Sequence, residues 1–246
     1  MKSLDPNWIV PDWPAPAGVN AFITTRAGGA STGAFATFNV GLRAGDDPKA
    51  VTANRERLRG MLPQEPRWLK QVHGTRVVNA DGLTDVPEAD AAVARNPGTV
   101  CAVQVADCIP VLMTNQAGTA IAVAHAGWRG LAGGVIENTV NNLALEPGSL
   151  MAYLGPGIGP SAFEVGPDVR DAFLSKDARA ESAFTPRAAG KWLADLYLLA
   201  RQRLEHCGVG SVHGGNLCTH SDPQRFYSYR RDRTTGRMVA VIWRSA

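Results

Sequence analysis

Two imidazoles and one thiol in this chain carry the clearest chemical potential: His73 in KQVHGTRV, Cys108 in ADCIPVLM and His125 in AVAHAGWRG. Each lies beside a glycine or a turn and next to a strand-like run. Imidazole nitrogen and thiolate sulfur are ligands that zinc and copper accept, and three protein ligands leave one coordination position open. With one thiolate and two neutral imidazoles, a bound zinc would keep net positive charge and lower the pKa of a bound water toward ~7. Positions 73, 108 and 125 are too far apart for a zinc finger, so folding alone can assemble them. The same residues admit two other readings. Cys108 and His125 could form a thiolate–imidazolium pair for nucleophilic catalysis, with Asp107 or Asn216 orienting the base. They could also be unrelated, with Cys108 in the core, His73 in a turn and His125 at a strand end. In an extended segment Asp107 would face away from Cys108, as a supporting carboxylate rather than a fourth ligand.

A second constellation is cationic. Arg26 follows Thr24-Thr25 and precedes Gly28-Gly29, where a guanidinium could meet an anion beside exposed backbone N–H groups. Arg129, four residues after His125 at an expected helix start, is a weaker candidate. Arg225, Arg230, Arg231, Arg233 and Arg237 concentrate near the C-terminus; they could meet phosphate, but an exposed arginine-rich hairpin without a partner is the commoner case. Of the remaining histidines, His206 is expected at a helix end, and His213 and His220 in structural roles flanking GGNLCT. Cys218 reads as a small buried residue.

At 246 residues, with 45% hydrophobic and 19% charged residues, the chain has a globular balance and suffices for one large domain, taken here as residues 1–246. A net charge of +3, without interleaved aromatic and basic residues, disfavours nucleic acid. No apolar run reaches the ~20 residues that span a bilayer. Asp5, Pro6, Pro11 and Asp12 are foreign to a signal peptide, so a cytoplasmic location with four reduced cysteines is expected.

Strands are expected at 19–25, 68–72, 75–80, 99–106, 111–113, 120–124 and 151–154. Asp47-Pro48 should open a helix that Pro63 stops. Further helices are expected from Gly127 to about Leu143, from Pro167 to about Leu174, and over Lys191–His206, with Gly208 beyond the end. Segments 226–231 and 237–243 flank Thr234-Thr235-Gly236 as a hairpin. Strands and helices mix without a regular βαβ rhythm, which predicts an α+β fold with mixed β-sheets. Neither GxGxxG after a strand nor GxxxxGK[ST] is present.

Along nearly its whole length the chain resembles the YfiH-like laccase-domain family, described both as multicopper polyphenol oxidoreductases and as purine nucleoside phosphorylases. The resemblance is carried by FITTRAGGAS, NVGLRAGDDPKAVTANRERL, WLKQVHGTRV, ADAAVA, VQVADCIPVL, VAHAGWRG, GPGIGPSAFEVG, NLCTHSD and FYSYRRDRTTGRMVAVIW. It implies a single-domain layered α/β/β/α sandwich, with metal held by His73, Cys108 and His125. It also implies phosphorolysis of adenosine, inosine, guanosine and methylthioadenosine, and deamination of adenosine. Purine nucleoside and phosphate are then the partners, Zn2+ (or Cu2+) the cofactor, and Cys108, His125 and Arg26 the catalytic set. A multinuclear copper oxidase needs many more histidines than the five present, although one copper would suit a His2Cys site. Alternative functions are a copper-loaded polyphenol oxidase, a cysteine-dependent amide or peptide hydrolase acting on peptidoglycan precursors, and a zinc-stabilised binding module.

Overall fold

The computed structural model describes residues 4–245; residues 1–3 and 246 of the expected domain lie outside the described residues. In chain order the elements are β1 (Val19–Ile23), α1 (Pro48–Arg59), β2 (Val77–Asn79), β3 (Ala91–Ala94), β4 (Cys101–Val105), β5 (Ile109–Asn115), β6 (Ile121–Ala126), α2 (Trp128–Gly133) and α3 (Val135–Leu143). There follow β7 (Leu150–Leu154), β8 (Glu164–Val165), α4 (Pro167–Leu174), β9 (Phe184–Arg187), β10 (Lys191–Ala194), α5 (Leu196–His206), β11 (Ser211–Gly214), α6 (Tyr229–Asp232) and β12 (Met238–Arg244).

Small and β-branched residues in β3, β5 and β6 suit strands covered on both faces. They form the centre of a six-stranded mixed sheet, ordered β11-β7-β5-β6-β3-β2. Alternation sends Val93, Val111, Met113, Ala122 and Ala124 to one side, where they pack with Leu131, Ile136, Phe173 and Leu199 of the helices. Ala92, Ala94, Leu112, Ile121 and Val123 go to the other side, against Ile23, Val103, Ala240 and Ile242. Those partners belong to the antiparallel sheet β1-β12-β4. Its outer face carries Phe22, Ala102, Val241 and Trp243, which meet Leu58 of α1 together with Trp8 and Phe38. The layers therefore run helix, sheet, sheet, helix, as the α/β/β/α reading expects. A small antiparallel sheet, β8-β10-β9, flanks them.

Four expected elements differ in detail. The helix after Gly127 is broken at Gly134, whose φ of 103° is left-handed. The helix expected over 191–206 begins only at Leu196, because Lys191–Ala194 pairs with β8 and β9 and Asp195 caps the helix by accepting from Leu198 N. The C-terminal hairpin is absent: residues 229–232 are helical, and β12 pairs with β1 and β4 instead. Residues 68–72 make only a single bridge, Lys70 to Glu88, rather than a strand.

Candidate metal centre

The three candidate ligands meet where strands end. Residues 106–108 carry the chain from β4 in the three-stranded sheet to β5 in the six-stranded one, through Asp107 at a φ of 91°. The crossing delivers Cys108 just ahead of β5. His125 lies on the adjacent strand β6, opposite Pro110. His73 sits in the loop before β2 with a left-handed φ of 60°, uncommon for a residue with a Cβ. The ligand atoms of His73, Cys108 and His125 all lie within 4.8 Å of one another. Ligands 2.0–2.3 Å from zinc stand roughly 3.5 Å apart in a tetrahedron, so the cluster is near ion-binding size and slightly wide.

Asp90 holds this arrangement. Its side chain is fully buried just before β3. One carboxylate accepts from Val72 N (3.2 Å), His73 N (2.9 Å), Gly74 N (2.7 Å) and His125 Nδ1 (2.9 Å). The first three bonds pin the strained turn at His73. The fourth fixes a proton on His125 Nδ1, so Nε2 is the nitrogen that would give up its proton to a metal. Burial pushes the Asp90 carboxyl up, but the hydrogen bond from His125 and those from Gly74 and Val72 outweigh it, so Asp90 is ionised. Gly127 closes the other side: a Cβ there would stand 2.7 Å from Cys108 Sγ and 3.0 Å from His73 Cδ2.

Burial alone would raise the Cys108 thiol, yet the neighbouring His125 and His73 imidazoles reverse it and bring it down to about 6. Burial depresses His125, but Cys108 and Asp90 raise it to about 9. Without a metal, Cys108 and His125 are thus a thiolate–imidazolium pair; with the Nε2 proton displaced, a thiolate and two imidazoles are the donors a borderline-soft divalent ion selects. The site residues fit zinc or copper.

Other expected site residues fall elsewhere. Asp107 is not an orienting base partner; its φ breaks the extended geometry assumed for it, and it accepts from Thr219 Oγ1 (2.6 Å) and Arg230 N (2.7 Å). Asn216 is exposed, and Asp90 takes the orienting position. Arg26 spends Nε on Ala36 O and Nη1 on Pro223 O, each at 2.9 Å, and stacks over Tyr227. Arg129 is exposed and lies over Trp128, 4.4 Å from the ring centre. His206 ends α5, and His213 Nε2 contacts Ser211 Oγ. Cys218 is half-buried, with Sγ accepting from Gly159 N. The C-terminal arginines do not form an exposed hairpin. Arg231 donates to the Thr219, His220 and Phe226 carbonyls, and Arg230 to Glu164 O.

Sequence reasoning passed over Asp90 and Gly127 as parts of the site. Asp90 had a signal: it stands immediately before Ala91-Ala92-Val93-Ala94, an apolar run that belongs in a core as either strand or helix. A carboxylate at that place must find internal partners.

A layered α/β/β/α sandwich that gathers two histidines and a cysteine at a crossing between its sheets is a candidate metal-dependent enzyme. The chain belongs to the family described as multi-copper polyphenol oxidoreductase laccase, whose model matches residues 20–245. It is 52% identical over 238 residues to a purine nucleoside phosphorylase, YfiH, of Escherichia coli, covering 96% of this chain and 98% of that one. A purine nucleoside phosphorylase of Pseudomonas aeruginosa is also 52% identical, over 237 residues, again covering 96% and 98%. Among solved structures, a Neisseria meningitidis protein superposes with a TM-score of 0.95 at 51% identity, covering 98% of this chain and all of that one. YlmD from Geobacillus stearothermophilus does so at 0.89 with 30% identity, covering 100% and 98%.

Proposed function

We propose that this protein is a zinc-dependent purine nucleoside phosphorylase, acting on adenosine, inosine, guanosine and methylthioadenosine, with adenosine deaminase activity. The observation that carries the reading is the His73–Cys108–His125 cluster, whose ligand atoms lie within 4.8 Å of one another. Relatives covering almost the whole chain and named purine nucleoside phosphorylases support it. A bound zinc would supply Lewis acidity and activated water, the chemistry that attack at C6 of adenine requires.

The chain's own residues orient and exclude. Asp90 keeps the proton on His125 Nδ1, and Gly127 leaves the space beside Cys108 Sγ clear. In phosphorolysis a phosphate oxygen bonds to C1′ of the ribose as the C1′–N9 bond breaks, and the purine leaves with its bonding pair and takes a proton. Arg26 retains Nη2 for an anion, without an acceptor among the described residues, while its other arms fix the guanidinium. The four cysteines are free, which suits the reducing cytoplasm as the place of reaction.

One observation favours a second reading. Asp90, His125 and Cys108 form a line of acid, base and thiolate, the order a cysteine-dependent amide or peptide hydrolase uses. Cys108→Ala separates the two: loss of stoichiometric zinc marks a ligand, whereas retained zinc with loss of an iodoacetamide-sensitive amidase marks a nucleophile.

The test of the leading reading is product analysis of zinc-loaded protein with adenosine, with and without phosphate. Adenine with ribose 1-phosphate is expected when phosphate is present, and inosine without it. No turnover of any of the four purine nucleosides would overturn the reading.

A further inference from the structure

Of the arginines gathered near the C-terminus, Arg237 is the one whose position the proposed chemistry leaves unexplained. The ion pairs around it take Arg225 to Asp222 and Arg231 to Asp232, and Arg237 joins none among the described residues. Its guanidinium is half-buried, yet only Nη1 is used, donating to Thr235 O and Gly236 O at 2.9 Å each. Nε and Nη2, the edge of the fork that grips an oxyanion side-on, meet no acceptor among the described residues. Neither nitrogen is among the buried polar atoms without a partner, so this edge of the fork faces solvent and is open to an anion.

Its place in the fold says where that anion would lie. Met238 pairs with Val105, so Arg237 precedes β12 just where β4 gives way to Ala106, Asp107 and Cys108. Burial lowers the affinity of this guanidinium for its proton, and the negative groups that oppose the effect are Cys108 first, then Asp107 and Tyr229. The backbone is firmly set: Arg237 N donates to Asn39 Oδ1 at 2.8 Å, and Arg237 O accepts from Val40 N at 3.2 Å. Phe38 N of the same segment donates to Arg26 O, so one strand-like stretch ties both arginines to this end of the three-stranded sheet. The Tyr227 ring lies under Arg26 and against Gly236, the residue before Arg237.

We propose that Arg237 is the principal seat of inorganic phosphate, binding two oxygens through Nε and Nη2 beside the His73–Cys108–His125 cluster, with Arg26 Nη2 as an auxiliary contact. The identity of the anion rests on the phosphorolysis reading; the seat for a tetrahedral oxyanion rests on the geometry of Arg237.

The test measures phosphate binding to zinc-loaded wild-type, Arg237→Lys and Arg237→Gln proteins by calorimetry, beside the KM for phosphate with inosine as co-substrate. Zinc content and thermal midpoint report the fold of each variant. Losing a charged, bidentate contact should weaken phosphate binding about ten- to a hundred-fold in Arg237→Gln. Arg237→Lys, which keeps charge without the fork, should fall between, and the KM for inosine should move far less than the KM for phosphate. Phosphate affinity unchanged in both folded variants overturns the seat, whether or not the enzyme turns over, and phosphorolysis can still stand. Arg237-dependent phosphate binding without any ribose 1-phosphate overturns phosphorolysis and leaves the seat in place.

Discussion

Asp90 concentrates the order of the site in one side chain. Three backbone N–H groups and one imidazole converge on its two oxygens, and they come from the His73 loop and from β6. Without them, the positive φ of His73 would have nothing to offset its cost, on the order of 1–3 kcal/mol. Asp90→Asn keeps the size of the side chain but removes its charge and turns an amide NH2 toward groups that are themselves donors. Metal affinity should fall about ten- to a hundred-fold, as for other supporting partners of a ligating histidine. Competition with a chromophoric chelator reads this directly, and wild-type affinity in the variant would show that Asp90 supports the fold but not the centre.

At the scale of elements, the site is a meeting of strand ends, and the glycine that starts α2 is part of it. Gly127 has φ −73° and ψ 160°, angles any residue adopts, so conformational freedom does not explain it. The explanation is space, since a Cβ would press on Cys108 Sγ and His73 Cδ2. Gly127→Ala should therefore leave far-UV circular dichroism unchanged and lower metal affinity by about ten-fold or more, in the range of a disturbed ligand shell. A variant that still binds one metal per chain with wild-type affinity would refute the steric account. The same scale shows why some elements were legible and others were not. Asp47-Pro48 announced α1 because a cap and a first-turn proline act within a few residues, and Asp47 Oδ1 does accept from Lys49 N. Lys191–Ala194 looked helical because its residues suit either state; pairing with β8 and β9, distant in sequence, decided for strand.

The whole molecule depends on two sheets pressed face to face, with helices closing the outer sides. Leu112 is fully buried between the sheets, in the cluster with Ile23, Val123 and Ile242. Leu112→Ala should cost about 2–5 kcal/mol, measured by urea denaturation, because close-packed strands collapse little around a cavity. A loss below about 1 kcal/mol would mean that the interface tolerates a void and is not close-packed as described. Among the described residues no helix is long and apolar enough to cross a membrane.

Local sequence by itself determined which chemistry was available, because residue type sets ligand preference: two imidazoles and a thiol at positions 73, 108 and 125. It also determined most strands and α1, because apolar periodicity and caps act over a few residues. Tertiary structure decided the rest. Only the crossing at 106–108 and the pairing of β5 with β6 bring the thiol to the histidines. Only burial beneath the His73 turn makes Asp90, rather than Asp107 or Asn216, the side chain that orients His125. And only the register of β12 against β4 sets Arg237 level with the crossing at 106–108. These are contacts between residues far apart in sequence, and their energies come from desolvation and packing that exist only in the folded chain.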